Sequence, residues 1–212
     1  YKRQIHALHL APCRKANPDP LQLAERLAQR AITSEWEMFH DAYHDYRTIL
    51  KKDGRRRYRE IVTREWDSLP TIRAGESDPH RHGRTYRIDH LMLAVADMDN
   101  DFDLAIRVLS RDLSHSYTYL RIATYCKTKE QPALAVEWAE RGLREFGDKA
   151  DNRLRSFLAE EYLRTKRPNE AMNMRWQNFS SRLSLHEYAE LMTAAKRCRQ
   201  RDEWRSKAFG LI

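Results

Sequence analysis

Leu134-Ala135-Val136-Glu137-Trp138 has a near copy upstream in Leu104-Ala105-Ile106-Arg107-Val108, and Ala171-Met172-Asn173-Met174 continues the series downstream. The anchoring alanines, Ala105, Ala135 and Ala171, are 30 and 36 residues apart. A period near ~34 residues marks stacked helical hairpins, in which no single unit can bury its apolar face and each leans on the next. The small anchor has a physical reason. Two helices reach the short end of the ~8–10 Å packing range only where the residue at the crossing is small. The expected fold is therefore all-α, an α-α superhelix of antiparallel helical hairpins, and such arrays present long binding surfaces.

Anchoring on Ala135 puts Tyr119, Ile122, Ala123 and Cys126 on a first helix and Ala135, Ala139 and Gly142 on a second, closed by Gly147. Anchoring on Ala171 gives Leu158, Ala159 and Tyr162 before it. A third register carries Tyr188, Leu191, Met192 and Ala195, then Trp204 and Ala208. Gln131-Pro132 and Arg167-Pro168-Asn169 fall between paired helices, where proline is tolerated in the first helical turn. In these positions residues 117–208 resemble tetratricopeptide repeats. Residues 86–114 fit at Met92, Ala96, Ala105 and Leu109, but the loop Asp97-Met98-Asp99-Asn100-Asp101 is unusual for the pattern.

Residues 1–16 read as a helix containing Ile5, Leu8 and Pro12. Asn17-Pro18-Asp19-Pro20 breaks it and starts another, with Asp19 as N-cap, Pro20 at the first helical position, and Leu21, Leu23, Ala24, Leu27 and Ala28 forming the apolar stripe. Ser34 and Glu37 have capping-box spacing and open a helix carrying Trp36, Phe39, Tyr43, Tyr46 and Leu50. Tyr58, Ile61, Val62, Trp66 and Leu69 make the stripe of a further helix over 54–69, stopped by Pro70. The expected organisation is an N-terminal helical-hairpin unit over 1–69, an irregular connecting loop over 70–85, and a tetratricopeptide-like unit over 86–212. The expectation is also that the two units continue as one solenoid.

Six glycines and seven prolines in 212 residues disfavour a turn-rich β fold. No apolar run approaches the ~20 residues of a membrane span, so no membrane partner is expected. Tyr1-Lys2-Arg3-Gln4 opens no signal peptide, and without an initiator Met the chain reads as a piece of something longer. Cys13, Cys126 and Cys198 form no Cys-x-x-Cys; they fit small buried side chains in a reducing cytoplasm better than a zinc or redox site. The formal net charge is +8, with one dense cluster, Lys51-Lys52-Asp53-Gly54-Arg55-Arg56-Arg57, between two predicted helices. It is either a solvated loop or a phosphate-contacting patch. Lys51, Lys52, Arg55, Arg56 and Arg57 thus carry an alternative reading, a basic helical nucleic-acid-binding domain.

His40 and His44 stand four apart on a predicted helix, the spacing with which helical metal sites begin, and His6 and His9 could supply further ligands. That spacing supports a second alternative, a metal-dependent enzyme. However, the residues between the pair, Asp41-Ala42-Tyr43, lack the glutamate of a metalloprotease helix. His80 and His82 alternate in the long loop without further ligands. No phosphate loop, dinucleotide fingerprint or nucleophile elbow occurs. No catalytic residue, resident metal or cofactor is therefore assigned. Trp36, Trp66, Trp138, Trp176 and Trp204 occupy apolar stripes, where core packing suits them better than base stacking.

In a tetratricopeptide stack the first helices line the inner surface. That register directs Lys127, Arg153, Arg164, Lys196 and Arg197 inward, a basic row suited to a protein or acidic peptide partner. Several phrases go further. His9-Leu10-Ala11-Pro12-Cys13-Arg14-Lys15-Ala16-Asn17-Pro18-Asp19-Pro20, Leu23-Ala24-Glu25-Arg26-Leu27, Thr33-Ser34-Glu35-Trp36, Ala139-Glu140-Arg141-Gly142-Leu143 and Phe157-Leu158-Ala159-Glu160-Glu161-Tyr162 follow one another. In this order they resemble the helical C-terminal region of bacterial SWIM zinc-finger proteins. The zinc motif of that family, Cys-x-Cys followed by Cys-x-His, is not in these residues and is expected upstream of Tyr1. The resemblance implies an interaction role with DNA or protein for the complete protein and transfers no individual residue. The overall expectation is a non-catalytic, cytoplasmic protein-interaction module.

Overall fold

The computed structural model describes residues 2–34, 39–76 and 83–211, with side chains from Leu8 onward. Among these residues the fold is all-α, as expected. Its helices are α1 (Lys2–Ala16), α2 (Pro20–Thr33), α3 (Ala42–Asp45), α4 (Arg47–Asp67), α5 (Arg84–Met98), α6 (Phe102–Leu109), α7 (Ser116–Thr128), α8 (Pro132–Phe146), α9 (Asn152–Arg164), α10 (Pro168–Ser181), α11 (Leu185–Arg197) and α12 (Arg201–Phe209). Glu35, Trp36, Glu37, His80, His82 and the side chains of Ile5 and His6 lie outside the described residues.

The chain divides into two compact units, residues 1–72 with 76–112, and 73–75 with 113–212. The expected break at 70–85 differs from this division because α5 packs on α2, α3 and α4. Trp66 Nε1 donates to Asp89 at 3.1 Å, the Tyr43 hydroxyl donates to Asp99 at 3.2 Å, and Arg87 donates to the Ile32 carbonyl at 2.7 Å. These bonds, with buried Ile88, Leu91, Met92 and Val95, tie α5 to the first unit.

In that unit the Asp19 carboxylate accepts from the Gln22 amide at 2.9 Å, so the expected N-cap is present with Pro20 behind it. α2 buries Leu23, Ala24, Leu27, Ala28, Ala31 and Ile32. α4 crosses its start so closely that a Cβ on Gly54 would lie 2.6 Å from the Pro20 carbonyl oxygen. Two sequence expectations change here. Residues 39–41 precede a four-residue α3, so Phe39 to Leu50 do not lie on one helix. Lys52 to Arg57 are not a loop either: they are helical, and the break in α4 is confined to Lys51, at φ 52°. The stretch after α4 is pinned by buried Arg111. Its guanidinium stacks 3.6 Å from the Trp66 ring centroid and donates to the Trp66 and Leu69 carbonyls. Ile72 N donates to the Arg111 carbonyl at 2.8 Å.

The second unit is three helix pairs, α7 with α8, α9 with α10, and α11 with α12. Most residues that the repeat register assigns to the interior are found there, while Tyr188, Met192 and Trp204 are partly buried and pack against it. Tyr119, Ile122, Ala123, Cys126, Ala135, Ala139, Leu158, Ala159, Tyr162, Ala171, Leu191, Ala195 and Ala208 are all buried. At the α7–α8 crossing a Cβ on Gly142 would sit 2.6 Å from Tyr119 Cβ, so nothing larger than glycine fits. Trp138 packs beside Tyr119, and Trp176 beside Trp204 with ring centroids 5.7 Å apart, which is the packing role expected of them. Cys126 is buried, and desolvation pushes its thiol up to about 11, making it a poor nucleophile.

One turn recurs four times. Asn100, Glu130, Lys166 and Arg199 have φ of 53°, 59°, 59° and 59°. Each follows a helix whose third-last carbonyl (Ala96, Cys126, Tyr162 or Ala195) accepts from the amide one residue beyond it (Asp101, Gln131, Arg167 or Gln200). Each of the four also donates to the second-last carbonyl: Asp97, Lys127, Leu163 or Lys196. This paired pattern is a Schellman cap, normally built on glycine. The loop Asp97 to Asp101, which reads as unusual in sequence, makes the same turn as the other three. Left-handed backbone costs a non-glycine residue ~1–2 kcal/mol, partly offset by the extra chain entropy that glycine loses on folding. Glu130→Gly, Lys166→Gly and Arg199→Gly should therefore each stabilise the fold by about 0.5–1 kcal/mol. Urea unfolding followed by circular dichroism checks this; a midpoint that stays put or falls in all three variants would contradict it.

Candidate functional site

The five basic residues of the proposed inner row lie on α7, α9 and α11, and the structure places carboxylates against four of them. Lys127 Nζ is 2.6 Å and Arg164 Nη2 is 2.8 Å from Glu161. Arg153 is held by Asp151 at 2.6 Å, and Arg197 by Glu160 at 2.9 Å. Lys196 is exposed. The row is thus a set of ion pairs, and an acidic peptide would compete with Asp151, Glu160 and Glu161 for these cations. Two of the pairs cross between helices: Lys127–Glu161 joins α7 to α9, and Arg197–Glu160 joins α11 to α9.

The carboxylates are the residues that the sequence reading missed. The Glu161 side chain is only 1% exposed. Burial pushes its carboxyl up, but hydrogen bonds from Lys127 and Arg164 outweigh burial and leave it below the ordinary value of 4.5. Glu160 is likewise lowered: burial raises it, and Arg197 and Arg175 outweigh that. Buried Arg175 on α10 reaches Glu160 at 2.6 Å and Glu190 of α11 at 3.1 Å, so one cation grips two neighbouring helices. Asp151 is lowered mainly by the Arg153 guanidinium that its carboxylate accepts from, and it also caps α9 through the Arg153 amide at 2.8 Å. The repeat register gave no signal for this pair, because one repeat spans 36 residues here and makes Lys127 equivalent to Leu163, not to Glu161.

Two cation–aromatic contacts border this face, one on an exposed ring and one on a partly buried ring. Arg153 Cζ lies 4.4 Å from the centroid of half-exposed Tyr117, and Lys127 Nζ lies 5.6 Å from that of Phe157. Arg155, next to Arg153 in sequence, instead turns inward. It donates to the Gly147, Asp148 and Ala150 carbonyls and to Asn152 Oδ1 at 2.9–3.0 Å, so it fastens the end of α8 to the start of α9.

The other candidate sites are not assembled as their spacing suggests. In the cluster beginning at Lys51, Arg56 pairs with Asp53 and Glu60, Arg57 with Glu25 and Glu60, and Arg55 donates to the Lys51 carbonyl. Lys51 and Lys52 remain exposed. His40 and His44 do not share a helix face. His40 is buried ahead of α3 with its ring 5.1 Å from that of His90, whereas His44 is exposed and pairs with Asp45 at 2.7 Å. The His9 ring bonds the Tyr46 hydroxyl at 2.7 Å. Among the described residues no three His, Cys, Asp or Glu side chains are grouped to hold a metal ion, and no helix is long and apolar enough to cross a membrane.

No protein-family model matches the chain, and no curated protein matches it in sequence.

Replacing Glu161 by glutamine tests the central ion pair. A carboxyl whose folded pKa is depressed contributes stability above its unfolded pKa, and that contribution is lost as pH falls through the folded value. Glu161→Gln should therefore cost about 1–2 kcal/mol at pH 7, and the difference from the unaltered protein should close as pH falls below 4.5 and through the folded value. Urea midpoints across the pH range measure this; an equal cost at pH 7 and in acid would assign Glu161 a packing role instead.

Proposed function

We propose that the chain is a non-catalytic helical-repeat module that holds a protein partner on the joint face of α7, α9 and α11. The observation that carries this reading is the pair of cross-helix ion pairs, Lys127–Glu161 and Arg197–Glu160, which join the first helices of three successive pairs into one charged surface. Tyr117 stacked under Arg153 lies beside it, and tyrosine and arginine are the residues most enriched where interfaces concentrate their energy. The recurrent turn supports a tetratricopeptide-like superhelix in the C-terminal half, since equal turns repeated at near-equal spacing stack equivalent pairs. The partner is a protein segment of mixed charge, able to exchange its own carboxylates and cations with the pairs in place. The sequence phrases favour a module of bacterial SWIM zinc-finger proteins working in the cytoplasm, where the free cysteines are at home. A metal-dependent reaction at His40 and His44 draws no comparable support from the separated imidazoles, nor does nucleic-acid binding from the ion-paired arginines at 56 and 57.

Site-specific photo-cross-linking tests the face. A benzophenone side chain at exposed Thr124 of α7 or Thr193 of α11 should give one discrete protein adduct in lysate of the producing cells. The adduct should vanish when Arg153→Glu and Arg197→Glu are added. The same probe at exposed Arg144 of α8 or Asn173 of α10 should give none. Adducts formed equally from both sets, or from neither, would refute the assignment.

A further inference from the structure

We propose that the cleft between α2 and α4 binds a small polyphosphorylated molecule. The cleft is open to solvent and has a volume of about 610 Å³; α2 contributes Arg26, Gln29 and Arg30 to it, and α4 contributes Arg57, Ile61 and Arg64. Four guanidinium groups thus line one concavity. Two carboxylates also line it, but both are already held: Glu25 by Arg57 at 2.8 Å and Glu65 by Arg84. Arg26, Arg30 and Arg64 are exposed and make no ion pair among the described residues.

In the second unit exposed Arg153, Arg164 and Arg197 have carboxylate partners, and exposed Arg121 and Arg144, which make no ion pair among the described residues, stand on separate helices; Arg26, Arg30 and Arg64 differ in lining one cleft. Arg26 and Arg30 are one helical turn apart, where like charges repel, and Arg64 adds a third positive charge from the facing helix. A bound oxyanion removes this repulsion and meets the planar donor forks that suit phosphate. Part of the site is preorganised: Arg30 lies 5.7 Å from the Phe39 ring centroid, and Arg57 is fixed between Glu25 and Glu60.

The distribution of charge selects a compact ligand. A nucleic-acid backbone needs a continuous basic track. Along α4, however, Arg56 is tied to Asp53 and Glu60, and Arg59 to Asp99 and Asp101. Between Arg56 and Arg64 the one α4 arginine without an ion pair among the described residues is Arg64, which lines the cleft, whereas exposed Lys51 and Lys52 lie at the other end of the helix. The cleft's volume falls within the ~300–1,000 Å³ of small-molecule sites, and its three arginines without an ion pair among the described residues call for several oxyanion groups close together.

Calorimetric titration of the full chain with inorganic pyrophosphate at low salt is the direct test. Saturable one-to-one binding is expected, and Arg26→Gln/Arg30→Gln/Arg64→Gln should raise Kd by at least ~tenfold. Arg121→Gln/Arg144→Gln in the second unit should leave it unchanged. All five positions are exposed, so folding should persist, and a circular-dichroism melt confirms it. Absence of saturable binding, or equal affinity in the triple variant, would overturn the proposal. So would a single-stranded oligonucleotide that binds more tightly than pyrophosphate and is weakened by Lys51→Gln/Lys52→Gln instead, because it would place the ligand outside the cleft.

Discussion

At four helix ends one backbone residue is held left-handed so that the amide after it can reach a carbonyl buried in the helix it has just left. The carbonyls reached are those of Ala96, Cys126, Tyr162 and Ala195, and all four residues are in the core. The turn therefore does more than reverse the chain. It ties the direction of each second helix to a core position on the first, so α6, α8, α10 and α12 start in equivalent places relative to their partners. Close packing then follows from small residues at the crossings. Ala135 and Ala171 allow the approach, and Gly142 tightens it until the Tyr119 ring lies where a β-carbon would otherwise be.

Once the pairs are set, charge decides how they are joined. Glu161 and Arg175 are buried at the seams between helices, and a buried charge is tolerated only when its partners are in place. Each has two: Lys127 and Arg164 for the first, Glu160 and Glu190 for the second. Arg155 and Arg111 solve the same problem with backbone carbonyls, each pinning an irregular stretch to a helix. A net charge of +8 therefore says little about where positive charge is available. In the second unit Lys127, Arg153, Arg164, Arg175 and Arg197 are taken up by neighbouring carboxylates; in the first, three arginines of the α2–α4 cleft make no ion pair among the described residues.

Much of the interior was legible because it rests on local rules. The alanine spacing, the prolines opening α8 and α10, and the Asp19 cap each follow from steric or hydrogen-bonding limits that act within a few residues. The fourth turn was hidden at Asn100 because the signal sought was composition, and the left-handed position here is filled by Asn, Glu, Lys and Arg instead of glycine. The histidine spacing misled for a related reason. Four residues place two side chains on one face only if the intervening backbone is helical, and the chain turns at 39–41 before α3 begins.

By itself, then, the sequence determined an all-helical chain, the identity of most interior positions in the C-terminal half, and where several helices begin, because each depends on contacts within one helix or one turn. Only the tertiary structure decided which charges are neutralised. Glu161 meets Lys127 from 34 residues away, Arg57 meets Glu25 from 32, and Arg59 meets Asp99 from 40. The same packing decided that α5 and α6 belong with the first unit. It also left Arg26, Arg30 and Arg64 lining one cleft with no ion pair among the described residues, since a carboxylate neutralises only what lies within a few ångströms of it, and that distance is set by how helices cross.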